Sequence, residues 1–281
     1  MGMPFSRPLS LPSPRESDER SPQGSNLPGP KASVTLPPEI LDKILEHICS
    51  DGRGSSTLIS CALVATWCTG PCQRRLFSSV RISPDNCERW INGVVLSRSK
   101  AHLLGHVRSL NDGYGYRIQD LIQDTGEYLL GLHNLRSLTL HGIMVEHINE
   151  RDFRTCFSAF RGTLTLLSLY NFATSFSAFV VMIDYFPNLT TLRLHPFVVG
   201  LNERSVPSLS RPLRGKLHLH HISDNCLEFF DRFAKLDPEY EELEIVSSST
   251  LYTESRFVES ALQISTSTVR FLRLIIKPER E

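Results

Sequence analysis

One short leucine phrase recurs down the second half of the chain and limits the folds open to it. Leu135-x-x-Leu138-x-Leu140 returns as Leu164-x-x-Leu167-x-Leu169 and as Leu189-x-x-Leu192-x-Leu194. Looser copies follow at Leu217-x-Leu219, Leu243-x-Ile245 and Val269-x-x-Leu272-x-Leu274. With the middle leucine as marker the copies fall at 138, 167, 192, 217, 243 and 272, so the intervals are 29, 25, 25, 26 and 29 residues. Val80 and Leu110 carry the rhythm toward the N-terminus. Within each copy apolar residues alternate with others, which is the period of a strand with one face buried.

Between these strands the spacing turns helical. Phe153, Cys156, Phe157 and Phe160 share one apolar face, and Phe176, Phe179, Val180, Ile183 and Phe186 share another. A strand and a helix repeating with a period in the twenties mark a leucine-rich-repeat solenoid, a parallel sheet with helices on its convex side. The βαβ units of an α/β enzyme alternate in the same way, but they usually take roughly thirty or more residues and have longer apolar strands. The shorter intervals favour an α/β fold of the solenoid kind, irregular and spanning residues 79–281. The phrase Phe186-Pro187-Asn188-Leu189 joins helix to strand. The sequence ends at Lys277-Pro278-Glu279-Arg280-Glu281, directly after a strand signature. Solenoid ends need covers, so the expectation is a truncated member or an edge that something else covers.

Upstream lies a different kind of segment. Ile40, Leu41, Ile44, Leu45 and Ile48 recur at helical spacing, with Pro37 or Pro38 suited to the opening turn, where a missing N–H has no helical partner anyway. Residues 49 to 56, with Asp51, Gly52 and Gly54, read as a turn, and Thr57 or a neighbouring serine as the cap of a second helix. That helix is apolar almost all round from Leu58 to Trp67, and Gly70-Pro71 is expected to stop it before a short turn ending at Leu76-Phe77. About forty residues cannot sustain a core of their own. The excess apolar surface must dock, either on the rest of this chain or on a partner. Ser83-Pro84 then reads as cap and first residue of a helix reaching Leu96, between strand-like runs at 78–82 and 106–110.

Leu36-Pro37-x-Glu39-Ile40-x-x-x-Ile44-Leu45 and the later Cys61-Ala62-Leu63-Val64-x-x-Trp67 resemble an F-box over residues 32–78, in the version found in fungal F-box-like proteins. The resemblance implies a helical module that binds the small Skp-type adaptor of a cullin-RING ubiquitin ligase. The rest of the chain then implies a client-binding repeat region, as in fungal F-box/leucine-rich-repeat proteins. On that reading Leu36, Pro37, Ile40, Leu41, Ile44, Leu45, Leu63, Val64 and Trp67 carry adaptor binding and internal packing between them. The rival is a stand-alone repeat scaffold whose F-box-like helices only cap the first strand.

Composition narrows the rest. Lys+Arg and Asp+Glu both number 30, which argues against a nucleic acid or an anionic membrane as partner. No apolar run approaches the roughly twenty residues of a membrane span, and the N-terminus lacks a signal-peptide core. Residues 1–31 hold seven prolines and six serines without apolar periodicity, and are expected to be a disordered tail. The seven cysteines are an odd number, scattered through the chain, which suggests reduced thiols in the cytoplasm or nucleus.

No catalytic constellation, cofactor motif or small-molecule site stands out. His102-x-x-x-His106 has a helical metal spacing but no adjacent glutamate, and Gly105 interrupts it. Cys68 and Cys72 have no second pair at ligand spacing. Gly52-Arg53-Gly54-Ser55 lacks the lysine of a phosphate loop. The chain is therefore expected to be no enzyme and to hold no metal. Residues alternating with the strand leucines should point to the open, concave side of the sheet: Ser137, Thr139 and His141, Ser168 and Tyr170, Arg193 and His195, Lys216, His218 and His220, Glu242 and Glu244, Phe271 and Arg273. Arg193, His195, Lys216, His218 and His220 are then expected to form a cationic patch, bordered by Glu242 and Glu244, that receives an acidic or phosphorylated client.

Overall fold

The leucine markers are also the register of the sheet. In the computed structural model Val80 lies opposite Leu110, and Leu110 opposite Leu138. The column continues through Leu167, Leu192, Leu217, Leu243 and Leu272. Each copy therefore supplies one strand to an eight-stranded sheet, every pair parallel and every strand beside its neighbours in repeat order. The strands are β1 (Ser79–Ile82), β2 (Ser109–Asp112), β3 (Ser137–His141), β4 (Leu166–Tyr170), β6 (Thr191–Leu194), β8 (Arg214–His220), β9 (Glu239–Ser247) and β10 (Phe271–Ile276). A second, two-stranded parallel sheet pairs β5 (Phe172–Ser175) with β7 (Phe197–Gly200). The fold is thus α/β, with a parallel sheet and helices between its strands. The structure describes residues 36–50, 54–64, 66–112, 126–142, 150–195, 197–200, 207–220, 227–247, 259, 261–264 and 268–276. The proline- and serine-rich stretch 1–31 lies outside them.

The helices follow from the apolar spacing. α5 (Glu150–Phe157) and the 3₁₀ turn Ser158–Phe160 bury Phe153, Cys156, Phe157 and Phe160. α6 (Phe176–Tyr185) starts at Ser175, whose hydroxyl accepts from the Ala178 amide, and buries Phe176, Phe179, Val180 and Ile183. With α7 (Leu227–Ala234) they lay phenylalanines over the strand leucines in one continuous core. Phe229 meets Phe176, Phe179 and Phe233 at centroid distances of 5.3–5.8 Å. Each such buried side chain contributes roughly 1.5–3 kcal/mol relative to exposure. α4 (Pro84–Trp90) runs into a π-helical turn, Ile91–Val95. At its start the Ser83 amide donates to Asn86 Oδ1 at 2.7 Å. Before β2 the chain forms a 3₁₀ helix, Ala101–His106, so the strand begins at Ser109, beyond the expected His106.

The N-proximal helices are α1 (Pro38–Ser50), α2 (Gly54–Val64) and α3 (Thr66–Leu76). Pro38 is the proline that opens α1. Two expectations fail here. α2 begins at Gly54, ahead of Thr57, since short polar residues are tolerated in a first turn whose amides have no helical partner. Nor do Gly70-Pro71 stop a helix: both lie inside α3. Pro71 removes one backbone donor, but Cys68 and Cys72 on either side of it are buried against Leu41, Leu45 and Leu58, and this packing outweighs local propensity. The Thr69 hydroxyl donates to the Ala62 carbonyl near the end of α2 at 3.0 Å, satisfying an acceptor the helix leaves open. These helices keep a small core of their own, yet they belong to one compact unit with everything from Pro38 onward.

Candidate functional site

The nine residues singled out from sequence in and just before these helices divide sharply by exposure. Leu41 and Leu45 are buried, packed with Leu58, Cys68 and Cys72. The others stay wet. Ile40, Ile44 and Trp67 are 40–46% exposed, and Leu63 and Val64 are 82% and 85% exposed. Leu36 is likewise partly exposed, and Pro37 is exposed. Ile40 and Ile44 are four apart on α1 and so share a helix face, as do Ile59 and Leu63 on α2. Ile59, at 51% exposure, belongs with this set, although the sequence reading passed over it. An almost wholly apolar helix gives no hint of which side is covered, and a hydrophobic stripe this exposed is a mark of an interaction surface.

The outer face of the sheet carries the second candidate region, in the order the alternation dictates. His141 lies opposite Tyr170, and Arg193 lies between Ser168 and His218. One residue past the paired leucines, rings stack along the sheet. His141 to Tyr170 is 4.3 Å between centroids, Tyr170 to His195 3.5 Å and His195 to His220 4.5 Å. Parallel strands roughly 4.8 Å apart place such rings face to face. Burial pushes the Tyr170 phenol above its ordinary range, with Arg193 pulling the other way. Burial, and then Arg81, pushes the His141 imidazole below its own.

The five residues of the expected cationic patch do gather here, but as a mixed-charge cluster. Lys216 Nζ meets a Glu242 carboxylate oxygen at 2.5 Å, and that hydrogen bond holds Glu242 below the usual carboxylate range. Glu244 has three cationic or imidazole neighbours: His218 Nδ1 at 3.4 Å and His220 Nε2 at 3.5 Å, both from Oε1, and Arg273 Nη1 at 3.2 Å from Oε2. The glutamates, on the adjoining β9, stand opposite the cations in register, Lys216 against Glu242 and His218 against Glu244. Ser168, His218 and Glu244 are buried although they point to the outer side, because stacked neighbours shield them.

The sequence reading named no metal ligands, yet the fold brings a set together. Donor atoms of His218, His220 and Glu244 all lie within 4.8 Å of one another. A signal existed: residues 218 and 220 share a strand face, and one 26-residue repeat interval added to 218 gives 244. His102 and His106 sit edge to face on the 3₁₀ helix with centroids 6.4 Å apart. Cys68 and Cys72 are buried in the small core with Leu41, Leu45 and Leu58. Among the described residues no helix is long and apolar enough to cross a membrane. Compared with family models, curated proteins and solved structures, the chain matches none of them.

Proposed function

We propose that this chain is a substrate-receptor subunit of a cullin-RING ubiquitin ligase, binding a Skp-type adaptor through α1–α3 and a client protein through the outer face of the sheet. The observation that carries the reading is the exposure of Ile40, Ile44, Ile59, Leu63, Val64 and Trp67 on helices that bury Leu41, Leu45, Leu58, Cys68 and Cys72. Such side chains gain most when a partner covers them. The Leu-Pro-x-Glu-Ile phrase runs into the start of α1 and Cys-Ala-Leu-Val ends α2, which suits the F-box reading. The eight parallel strands in repeat order, at intervals of 25–29 residues, fit a leucine-rich-repeat solenoid as the client-binding part.

The mechanism is tethering. A receptor that holds adaptor and client together raises the effective concentration of client lysines near the ligase's charged conjugating enzyme, with no bond-making residue of its own. Seven cysteines, an odd number scattered through the chain, suit a reducing compartment, cytoplasmic or nuclear. A second reading is a repeat scaffold whose helices cap the sheet, and the contact of α3 with the 3₁₀ helix before β2 favours it. Co-expression with a Skp-type adaptor separates the two. A receptor forms a stable one-to-one complex that Leu36→Asp with Ile44→Asp abolishes; a scaffold remains a well-behaved monomer indifferent to the adaptor.

A further inference from the structure

We propose that His218, His220 and Glu244 form a binding site for a divalent transition-metal ion on the outer face of the sheet, with zinc as its probe. The inference is independent of any role in ubiquitin transfer. It rests on the positions of three donor atoms, and the fold explains why they converge.

His218 and His220 alternate with Leu217 and Leu219 on β8, so both imidazoles leave the sheet on one side. Glu244 lies directly across from His218 on β9. Its Oε1 is 3.4 Å from His218 Nδ1 and 3.5 Å from His220 Nε2. Both separations are long for a hydrogen bond, which centres near 2.9 Å. They do suit a shared ion: metal bonds of about 2.0–2.1 Å set the donors of a tetrahedron about 3.3–3.4 Å apart. The remaining pair of donors lies within 4.8 Å, so a rotation of the His220 ring closes the third edge.

The surroundings orient these groups as ligands. Arg273 Nη1 holds Glu244 Oε2 at 3.2 Å, leaving Oε1 turned to the imidazoles. The His195 ring packs against His220, tilted, with centroids 4.5 Å apart. His218 Nε2 is buried with no hydrogen-bond partner, and Nδ1 is the ring nitrogen turned to Glu244. The three side chains are 11%, 21% and 12% exposed, which screens bulk water without closing the approach. Two imidazoles and a carboxylate suit zinc and its neighbours in the first transition row, and oxygen-preferring magnesium or calcium much less. Three protein donors leave a fourth tetrahedral position, which a water or a client side chain can take.

The test uses the full chain, titrated calorimetrically with Zn²⁺ and spectroscopically with Co²⁺. One ion per chain is expected, with Co²⁺ d–d bands of a nitrogen–oxygen site and a rise in melting temperature on adding Zn²⁺. His220→Gln should weaken binding tenfold or more, and Glu244→Gln likewise. His220 is the most exposed of the three, so its variant carries the test even if Glu244→Gln fails to fold; circular dichroism and melting without metal establish its folding. His102→Gln should bind as the parent does. The proposal is overturned if Zn²⁺ fails to bind in the micromolar range, or if His220→Gln binds as tightly as the parent. Co²⁺ charge-transfer bands from thiolates, abolished by Cys68→Ser with Cys72→Ser, would overturn it too.

Discussion

Asn188 donates from Nδ2 to the Gly162 carbonyl at 2.6 Å, and Asn134 does the same to Gly105 at 2.7 Å. Both asparagines stand four residues before a marker leucine, and both acceptors stand five before the preceding marker. Thr163 holds the same place in its own copy and reaches the His133 carbonyl at 3.3 Å and that of Leu135 at 2.8 Å. The backbone repeats itself as well. The carbonyls of Ser78, Arg108, Arg136 and Thr165 each accept two successive amides from the next copy. Each copy is therefore joined to the next by polar bonds at a fixed offset, at and just before the starts of the strands.

These side-chain bonds make a graded prediction. Asn134 is partly buried at its bond and Asn188 is exposed there. A hydrogen bond contributes about 0.5–1.5 kcal/mol net, and more is lost when a buried acceptor is left unpaired. Asn134→Ala should cost about 1–2 kcal/mol in urea denaturation, and Asn188→Ala under about 1 kcal/mol. Equal losses would mean that these bonds do not set the offset between copies.

Gly215 provides a sharper case. It sits at a register irregularity at the start of β8, with φ near +99°, a region open to glycine and strained for other residues. An added Cβ would stand 2.2 Å from the Thr190 carbonyl oxygen, a fixed backbone atom. Gly215→Ala should therefore cost about 2–4 kcal/mol, from strain and backbone displacement together. The check is the denaturation midpoint against Gly162→Ala, where a Cβ meets nothing within 4 Å. Matching stabilities would contradict this account of the bulge.

The sheet was legible because a side-chain period of two ties register to pattern, and each copy repeats one pattern. Hence Leu138, Leu167 and Leu192 marked their own partners. The bulge at Gly215 was not legible, since a lone glycine before Lys216 breaks no visible rhythm. The small sheet of β5 and β7 was also missed. Phe172-Ala173-Thr174-Ser175 carries too little alternation to signal a strand, and only tertiary packing defines it. In the helices, local rules placed a stop at Gly70-Pro71 that packing around Cys68 and Cys72 overrides. On the outer face, alternation gave the correct residues but not their pairing. The order Lys216, His218 opposite Glu242, Glu244 appears once the 26-residue interval is read as a register and not only as a period.

His141 should make stability depend on pH. Burial, followed by the nearby Arg81, lowers its imidazole pKa from the ordinary value of 6.5. The unfolded chain then takes up a proton that the folded one refuses, so this contribution is complete above pH about 6.5 and fades as pH falls through that range. His106 acts in the same direction, through burial and then His102, Arg74 and Arg108. Melting temperatures should drop between pH 7.5 and 5.5. His141→Phe, which keeps a ring against Tyr170, should lessen the drop, and His106→Gln added to it should lessen it further. An unchanged slope in the double variant would place the proton uptake elsewhere.

The helical residues offer the most direct separation of folding from recognition. Leu45 is 1% exposed at the centre of the small core, whereas Leu63 and Val64 are above 80%. Leu45→Ala should cost about 2–5 kcal/mol, the usual loss for a buried leucine. Leu63→Ser with Val64→Ser removes apolar surface that water already covers, so its stability should stay within about 0.5 kcal/mol of the parent. The solubility of the free chain should rise. If a partner covers these helices, the serine pair should lose the adaptor complex while melting normally, and Leu45→Ala should melt early yet still bind at low temperature. Should the serine pair bind the adaptor as the parent does, α2 is not the surface it recognises.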